Sequence, residues 1–345
     1  MTKLLPLLVL CAAPALAEER VFPFDPVELV YGNEVAGSPE HTLVRGRFTY
    51  RFASAESRAV FEKDPATYEI QLGGGCARMG PLSGVGSTDI YTVYDGQIYI
   101  FASEQCRAGF LRAPEELLPS ADARPTSDED AQARGLTLLR RALEGMGGTR
   151  ALDALTSYAQ REQERVEHDG SLYDTGEALR IDFATGAVTL TSWWGDWQSD
   201  AMVTSERSYM EVENETFEMH PAQIEAVRRR ARVNPLSVLA ARKRADFVAW
   251  AAGAERLGDE AVQLLGCWFD GTRVVLAIDA RGRVRSARFR ERGPSMAFGE
   301  VRIDFSDFEV QAGVPVARTH TATFDGAPYE RWTRTFATVA VVAAE

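Results

Sequence analysis

Cysteine thiols are the side chains whose type and placement in this sequence best suit them to chemistry. Cys76 follows three glycines, Cys106 lies in the stretch YIFASEQCRAGF, and Cys267 lies in the strand-like run AVQLLGCWFD. The fourth cysteine, Cys11, lies in the N-terminal apolar run. In an oxidising compartment, the three other thiols predict one disulfide-bonded pair and one thiol left over. Thiolates also bind soft metals and act as nucleophiles, so a metal or redox site is the alternative.

The histidines and the familiar catalytic motifs do not define a catalytic site. His41, His168, His220 and His320 lie on separate predicted strands or loops, and the sequence has no nucleophile elbow, phosphate loop or pair of histidines at helical spacing. Carboxylates are numerous, so the sequence is compatible with a catalytic acid–base pair whose two members lie far apart in the chain. The absence of a spaced constellation favours a binding protein over an enzyme, with no catalytic residue, cofactor or metal ligand set assigned.

One short unit of the sequence occurs twice. Residues 50–68, YRFASAESRAVFEKDPATY, recur at a constant offset of 49 as residues 99–117, YIFASEQCRAGFLRAPEEL. Each copy predicts an aromatic strand that ends at Phe-Ala-Ser, a helix capped by that serine, and a stop at proline. Neither unit is large enough to hold a core alone, so we expect the two to pack together. Ser57 of the first copy becomes Cys106 in the second.

The first copy and the residues around it carry a family resemblance. The residues concerned are Asp25, Pro26, Val27, Gly46, Tyr50, Arg51, Phe52, Ala53, Ser54, Phe61, Asp64, Pro65, Tyr68 and the run from Gly73 to Ala77. In this pattern the chain resembles the YHS domain family over residues 22–118. Metal-binding members carry cysteines after the Asp-Pro-Val and around the helix start, where this chain has Glu28, Ala53, Ser57 and Ala102. Cys106 alone remains of that thiolate set, so we assign no metal ligands.

The pairing that we predict is a structural disulfide between Cys76 and Cys106. The glycines before Cys76 let the backbone approach closely, and the bond would close a loop of about 30 residues, worth roughly 3–4 kcal/mol. In the alternative, Cys106 stays free, because its place in the first turn of a helix lowers the pKa of a thiol. One free thiol in the unreduced mature protein fits the disulfide, and three fit the alternative. We expect His41 to be solvated.

The N-terminus, MTKLLPLLVLCAAPALAEE, has the features of an export signal. Its apolar run over residues 4–17 is too short to span a bilayer comfortably and ends in the small-residue sequence Ala-Leu-Ala. These features predict a cleaved signal peptide at residues 1–17. We therefore expect the mature chain in the periplasm of a Gram-negative bacterium.

Composition and length limit the class of protein. The chain has 345 residues, with 50 acidic residues against 38 Lys and Arg, for a formal net charge of −12. This acidity argues against nucleic acid as a partner. The length predicts two domains: residues 18–120, then a linker with a helix start at residues 121–135, which is rich in Pro, Ser, Asp and Ala, then residues 136–345.

The second predicted domain opens with a helix and continues with short strands. The features that matter are the helix that ends at Gly147-Gly148, the helical pair after Pro221, the turn Gly282-Arg283-Val284, and Phe305-Ser306-Asp307-Phe308 leading to Gly313-Val314-Pro315-Val316-Ala317. In these features the chain resembles the outer-membrane lipoprotein carrier (LolA-like) superfamily over residues 130–340. The resemblance implies an α+β fold: the small duplicated strand–helix domain is followed by a curved antiparallel sheet of around ten strands, a half-barrel with covering helices.

The same resemblance implies an apolar cavity that accepts acyl chains. Three tryptophans on one strand-like run must point to both faces, so we assign ligand contact to Trp193, Trp194 and Trp197, with ordinary core packing as the alternative. The helical pair carries a basic patch, which we expect to face anionic headgroups or an acidic partner. The alternative is a solvated helix face whose charges are paired with nearby Glu. The basic patch consists of Arg228, Arg229, Arg230, Arg232, Arg242, Lys243 and Arg244.

Taken together, these features predict an exported, non-enzymatic binding protein that binds or carries a lipid, a lipoprotein acyl chain or another apolar small molecule. A membrane surface or an envelope protein is the expected partner, and no cofactor is implied. The alternative is a metal- or redox-linked periplasmic protein that uses Cys106.

Overall fold

The structure is a computed structural model, which describes residues 20–168, 170–212, 215–330 and 333–344. The predicted signal peptide lies outside the described residues. Among the residues that are described, no helix is both long enough and apolar enough to cross a membrane.

The N-terminal part consists of two strand–helix units, as the duplicated sequence predicts. Ser54 and Ser103 cap the longer helix of each unit by accepting a hydrogen bond from the backbone N–H of Ser57 (3.1 Å) and Cys106 (3.2 Å), respectively. The elements are β1 (Val21–Phe22), α1 (Pro26–Val30), β2 (Ser38–Arg45), β3 (Phe48–Phe52), α2 (Ala55–Lys63), α3 (Pro65–Tyr68), a 3₁₀ turn (Gln71–Gly74), β4 (Ser87–Tyr94), β5 (Gln97–Phe101), α4 (Glu104–Arg112) and α5 (Pro114–Leu117).

Each unit buries its own aromatic set. Strands β1, β3 and β2 form one small sheet, and β4 and β5 form a hairpin. In the first unit, the Phe61 ring lies 5.0 Å from Tyr50 and 5.3 Å from Phe52. In the second, Phe110 lies 5.4 Å from Tyr99 and 5.3 Å from Phe101. The helix of each unit therefore folds back onto its own hairpin.

The C-terminal part contains two eight-stranded antiparallel sheets, where we predicted a single sheet of around ten strands. The first sheet has the order β12-β11-β10-β9-β8-β6-β21, with β7 paired to β8. Its elements are α6 (Glu129–Gly145), α7 (Gly148–Ala154), β6 (Leu155–Arg161), β7 (Glu164–His168), β8 (Ser171–Asp182), β9 (Val188–Trp194), β10 (Trp197–Val203), β11 (Ser208–Val212) and β12 (Glu215–Glu218).

The predicted helical pair separates the two sheets along the chain. The second sheet has the order β13-β14-β15-β16-β17-β18-β19, with β20 paired to β18. The remaining elements are α8 (Pro221–Arg232), α9 (Pro235–Ala240), a 3₁₀ turn (Ala241–Lys243), β13 (Val248–Leu257), β14 (Glu260–Phe269), β15 (Thr272–Ile278), β16 (Val284–Arg292), β17 (Phe298–Gln311), β18 (Val314–Phe324), β19 (Ala327–Pro328), β20 (Arg334–Thr335) and β21 (Thr338–Ala343). The α+β class with mainly antiparallel sheets is confirmed.

Both sheets contribute to a single hydrophobic core. Inward residues of the two sheets and of α6 to α9 form one contiguous buried cluster. Helix α6 packs against β13 so closely that a Cβ atom at Gly135 would collide with the backbone of Trp250. At the other side, Gln311 of β17 clamps β21: its side chain donates to the Val339 carbonyl (2.9 Å) and accepts from the Val341 N–H (2.9 Å). The edge strand β21 of the first sheet is thereby joined to β17 of the second sheet.

Ion pairs and hydrogen bonds hold the N-terminal part against the C-terminal part. Glu215 of β12 accepts from both Arg20 (3.0 Å) and Arg47 (2.6 Å). The Gln223 side chain of α8 donates to the Pro81 carbonyl (3.1 Å) in the loop after Cys76. These contacts place the second strand–helix unit beside α8.

Candidate functional site

The space between the two sheets contains a narrow cleft at the junction of α8 and α9. It consists of two adjoining cavities of about 30 and 50 Å³, and neither is fully enclosed. Asn234, Pro235, Phe305 and His320 line both cavities and therefore form the wall between them. Asn234 is fixed because its side chain caps α9, accepting from the Leu236 N–H at 2.9 Å.

The smaller cavity, hereafter the apolar cavity, is almost entirely hydrophobic. Its side chains come from the end of α6, from β6 of the first sheet, from α9, and from β16 to β18 of the second sheet. Beyond the shared wall they are Met146, Tyr158, Leu236, Val284, Phe308, Pro315, Val316 and Ala317.

The larger cavity, hereafter the charged cavity, is bordered by two acid–arginine pairs. Arg230 of α8 binds Glu177 of β8 in a bidentate pair, at 2.6 and 3.2 Å. Arg334 of β20, which also lines this cavity, is paired with the buried Glu162. The Glu162 N–H donates to the Glu177 carbonyl (2.9 Å), so pairing of the first sheet holds the two acids side by side. Side chains from both sheets and from α8 thus converge on one small space.

Burial shifts the pKa of two groups at this site. Removal of Glu162 from water raises its pKa to about 7, with Glu177 adding to the rise and Arg334 opposing it. Burial, with a smaller contribution from Arg334, lowers the pKa of His320 to about 3, so its imidazole is neutral. The neutral ring packs edge-on between Phe305 (4.9 Å) and Phe336 (4.6 Å). The wall between the cavities is therefore aromatic and uncharged.

The cleft is smaller than the acyl-chain cavity that the LolA-like resemblance implies. For comparison, a cavity of about 150 Å³ binds one benzene molecule, and a water molecule needs about 10–15 Å³. At about 30 and 50 Å³, the two cavities hold a few waters each and no acyl chain. The physical reason is that two sheets supply inward side chains where we expected one, and aromatic groups such as Phe305, Phe308 and Phe336 fill the space between them.

The three tryptophans assigned to ligand contact lie elsewhere. Trp193, Trp194 and Trp197 flank the tip of the β9–β10 hairpin, and none of them lines either cavity. Trp194 is 40% exposed and stacks on Tyr173 at 5.8 Å, while Trp193 lies under the Arg161 guanidinium at 4.3 Å. The strand register places them at the end of the sheet, away from both cavities, so their assignment to ligand contact stays a prediction.

The basic patch is compensated by carboxylates. Arg230 reaches the charged cavity, and Arg228 is exposed. The ion pairs of the patch are Arg229 with Asp122, Arg230 with Glu177, Arg232 with Glu225 and Asp270, Arg242 and Lys243 with Asp153, and Arg244 with Asp246. These pairs tie the helices to neighbouring elements of this chain, which favours the alternative of a paired face over a headgroup-binding lid.

The three cysteines among the described residues are free thiols. The predicted disulfide between Cys76 and Cys106 is not formed, although the two thiols are hydrogen-bonded to each other. Cys267 lies in the main core, where burial raises its pKa. Among the described residues, no group of three His, Cys, Asp or Glu side chains is arranged to hold a metal ion.

Sequence reasoning missed the charged cavity. Glu162 and Arg334 are separated by 172 positions, and no local spacing marks either of them. Glu177 and Arg230, 53 positions apart, meet only because α8 packs across the first sheet. Glu162 is one of fifty acidic residues and is followed two positions later by Glu164, so the sequence offered no usable signal for it.

The elements described above define an α+β protein with a narrow cleft between two antiparallel sheets. No protein-family model and no curated protein matches the sequence. One similar solved structure is a DUF1329 family protein from Desulfovibrio piger, with 8% identity and a TM-score of 0.38, covering 61% of this chain and 93% of that one. Another is MucB, with 15% identity and a TM-score of 0.22, covering 63% of this chain and 66% of that one. At these values no family is assigned, and the YHS and LolA-like resemblances stay predictions.

Proposed function

We propose that this chain is an exported, non-enzymatic binding protein whose ligand enters the cleft between the two sheets. The observation that carries the proposal is the two-sided character of the cleft: the apolar cavity adjoins the charged cavity across a wall of four residues. Such a site suits a molecule with an apolar portion and a polar head. A lipid or a lipoprotein acyl chain belongs to this class, and the LolA-like resemblance supports it.

Binding of such a ligand requires the cleft to widen. The junction of α8 and α9 is the element that would move, because Asn234 and Pro235 stand between the cavities and belong to no strand. A displaced junction would join the two cavities and expose the Phe305 side of the second sheet. The cost of the movement is the loss of packing around the buried residues Leu236, Val238 and Leu239.

The charges of the site argue for binding without catalysis. Arg230 and Arg334 are each already paired with a carboxylate, and no Ser, Thr or Cys lines either cavity beside a base. The two pairs can hydrogen-bond a polar head at the rim of the charged cavity. An envelope partner or a membrane surface would deliver or receive the ligand.

Titration of the purified mature chain with dodecanoic acid, followed by native mass spectrometry of the same preparation, tests the proposal. The matched variants are Val316→Trp, which fills the apolar cavity, and Val310→Trp, at a position 72% exposed on the neighbouring strand. We expect Val316→Trp to weaken dodecanoate binding at least about tenfold, and Val310→Trp to leave it unchanged. Circular dichroism confirms that both variants are folded.

Two results would overturn the proposal. The first is a folded wild-type protein that carries no apolar ligand from the cell and binds no dodecanoate. The second is equal binding by the wild type and both folded variants, since the ligand would then occupy another place.

A further inference from the structure

The second strand–helix unit contains a pair of thiols at a position that the first unit fills with a carboxylate and a hydroxyl. In the first unit, Asp25 is fully buried and accepts hydrogen bonds from the Ala53 N–H (2.7 Å), the Glu28 N–H (3.2 Å) and the Ser57 hydroxyl (2.7 Å). A fourth donor, the Val27 N–H, lies at 2.9 Å. The loop before the strands is thereby fastened to the start of α2.

Cys76 occupies the equivalent position in the second unit. Its thiol accepts hydrogen bonds from the N–H groups of Ala102 and Met79 and is hydrogen-bonded to Cys106. Ala102 and Cys106 correspond to Ala53 and Ser57 at the offset of 49 found in the sequence. Met79 follows Cys76 by the same three residues that separate Glu28 from Asp25. The two units therefore place two backbone N–H donors at matching positions, around a carboxylate in one unit and a thiol in the other.

The two thiols differ in surroundings. Cys76 has no exposed surface, and burial raises its pKa. Cys106 is partly exposed in the first turn of α4. Hydrogen bonding from the Ser103 hydroxyl lowers the Cys106 pKa, Cys76 and the Arg78 guanidinium lower it further, and burial opposes them. The Arg78 side chain lies close to α4. A Cβ atom added at Gly109 of that helix would be only 2.9 Å from it.

We propose that Cys76 and Cys106 form a reactive dithiol, in which Cys106 attacks an incoming disulfide and the buried Cys76 resolves the mixed disulfide. The geometry assigns the order, because Cys106 alone of the pair reaches solvent while Cys76 contacts it from within. The ligand class is an oxidised thiol compound or the disulfide of a partner protein. The inference does not depend on the ligand of the cleft.

The reaction balances as ordinary thiol–disulfide exchange. The Cys106 thiolate attacks one sulfur of a disulfide R–S–S–R, an S–S bond to Cys106 forms, and the first RS⁻ leaves with the electron pair of the broken bond. Cys76 then loses its proton, and its thiolate attacks the Cys106 sulfur, which expels the second RS⁻. The two protein thiols are oxidised by two electrons, and R–S–S–R is reduced to two thiols.

The experiment treats the reduced mature chain with glutathione disulfide and maps the products by peptide mass spectrometry. We expect the wild type to form the Cys76–Cys106 disulfide, and Cys76→Ser to stop at a glutathione mixed disulfide on Cys106. Cys106→Ser should acquire no glutathione on Cys76. This last variant is conservative, because serine is the residue that the first unit has at this place. Cys267, buried in the main core, serves as the internal unreactive thiol.

Alkylation by iodoacetamide across a pH series gives a second readout. We expect Arg78→Ala to slow the modification of Cys106 at pH 7 on the order of threefold to tenfold, and Arg78→Lys to restore most of the rate. A pair that stays reduced in excess glutathione disulfide, glutathione attached first to Cys76, or an alkylation profile of Cys106 that Arg78→Ala leaves unchanged would each overturn the proposal.

Discussion

The four hydrogen bonds that the buried Asp25 carboxylate accepts allow a quantitative prediction about the stability of the N-terminal part. In Asp25→Asn the side-chain oxygen can keep the three donors that face Oδ1, but the new amide group replaces Oδ2, which accepts from the Ala53 N–H at 2.7 Å. The charge-assisted hydrogen bond from the Ala53 N–H is lost. This N–H and the new side-chain NH₂ group are both donors, and they then face each other in the protein interior. Taken together, these losses should cost roughly 2–4 kcal/mol.

Urea denaturation with two probes measures this loss. All six tryptophans lie beyond residue 190, so tryptophan fluorescence follows the C-terminal part, whereas far-ultraviolet circular dichroism follows both parts. We expect Asp25→Asn to lower the midpoint seen by circular dichroism more than the midpoint seen by fluorescence. The matched control is Asp95→Asn, at an exposed turn position with φ of 51° that Asn also favours, where the change should stay within about 0.5 kcal/mol.

A loss below about 0.5 kcal/mol in Asp25→Asn would refute the reasoning, because an amide and a carboxylate would then serve the donors equally well. A loss equal to that of Asp95→Asn would refute it in the same way.

Two further predictions concern the C-terminal part. Because burial raises the pKa of Glu162 to about 7, this group binds a proton more readily in the folded protein than in the unfolded chain, so its contribution to stability is greatest below pH 4.5 and is lost as the pH rises through 7. The unfolding free energy of Glu162→Gln minus that of the wild type should therefore rise by roughly 2–3 kcal/mol between pH 4.5 and pH 8. Denaturation measured at both pH values checks this, and a difference between variant and wild type that stays constant would count against it. Gln311→Ala should lose both hydrogen bonds to β21 and speed amide hydrogen exchange at Val341 while leaving β9 protected; unchanged exchange at Val341 would show that the clamp is unnecessary.

Local features of the fold could be predicted from the sequence because they depend on neighbouring residues. The duplicated units, their serine caps and the Asn234-Pro235 break between two helices all follow from short-range sterics and hydrogen bonding. The division into two sheets could not be predicted in this way. Hairpin turns predict which strands are adjacent, but the same turns are compatible with one large sheet or two smaller ones.

The candidate site shows the same limit at longer range. Cys106 stands out in the sequence because it departs from an internal repeat, and the structure places Cys76 beside it. Glu162 and Arg334 have no such marker, since their pairing depends on the packing of β6 against elements near the end of the described chain. The position of the tryptophans at the tip of the β9–β10 hairpin could not be predicted, because a run of aromatic residues indicates a strand but not which end of the strand it occupies.

The pairing of β21 with β6 has a consequence for the order in which the chain assembles. Thr156 and Val342 are hydrogen-bonded across 186 positions, so the first sheet lacks a neighbour on one edge until the last strand of the described chain has emerged. Contacts this distant in sequence form slowly, and an open strand edge attracts other chains. As the chain is made from its N-terminus, the β21-facing edge of β6 (Leu155–Arg161) would therefore stay unpaired until β21 (Thr338–Ala343) has emerged.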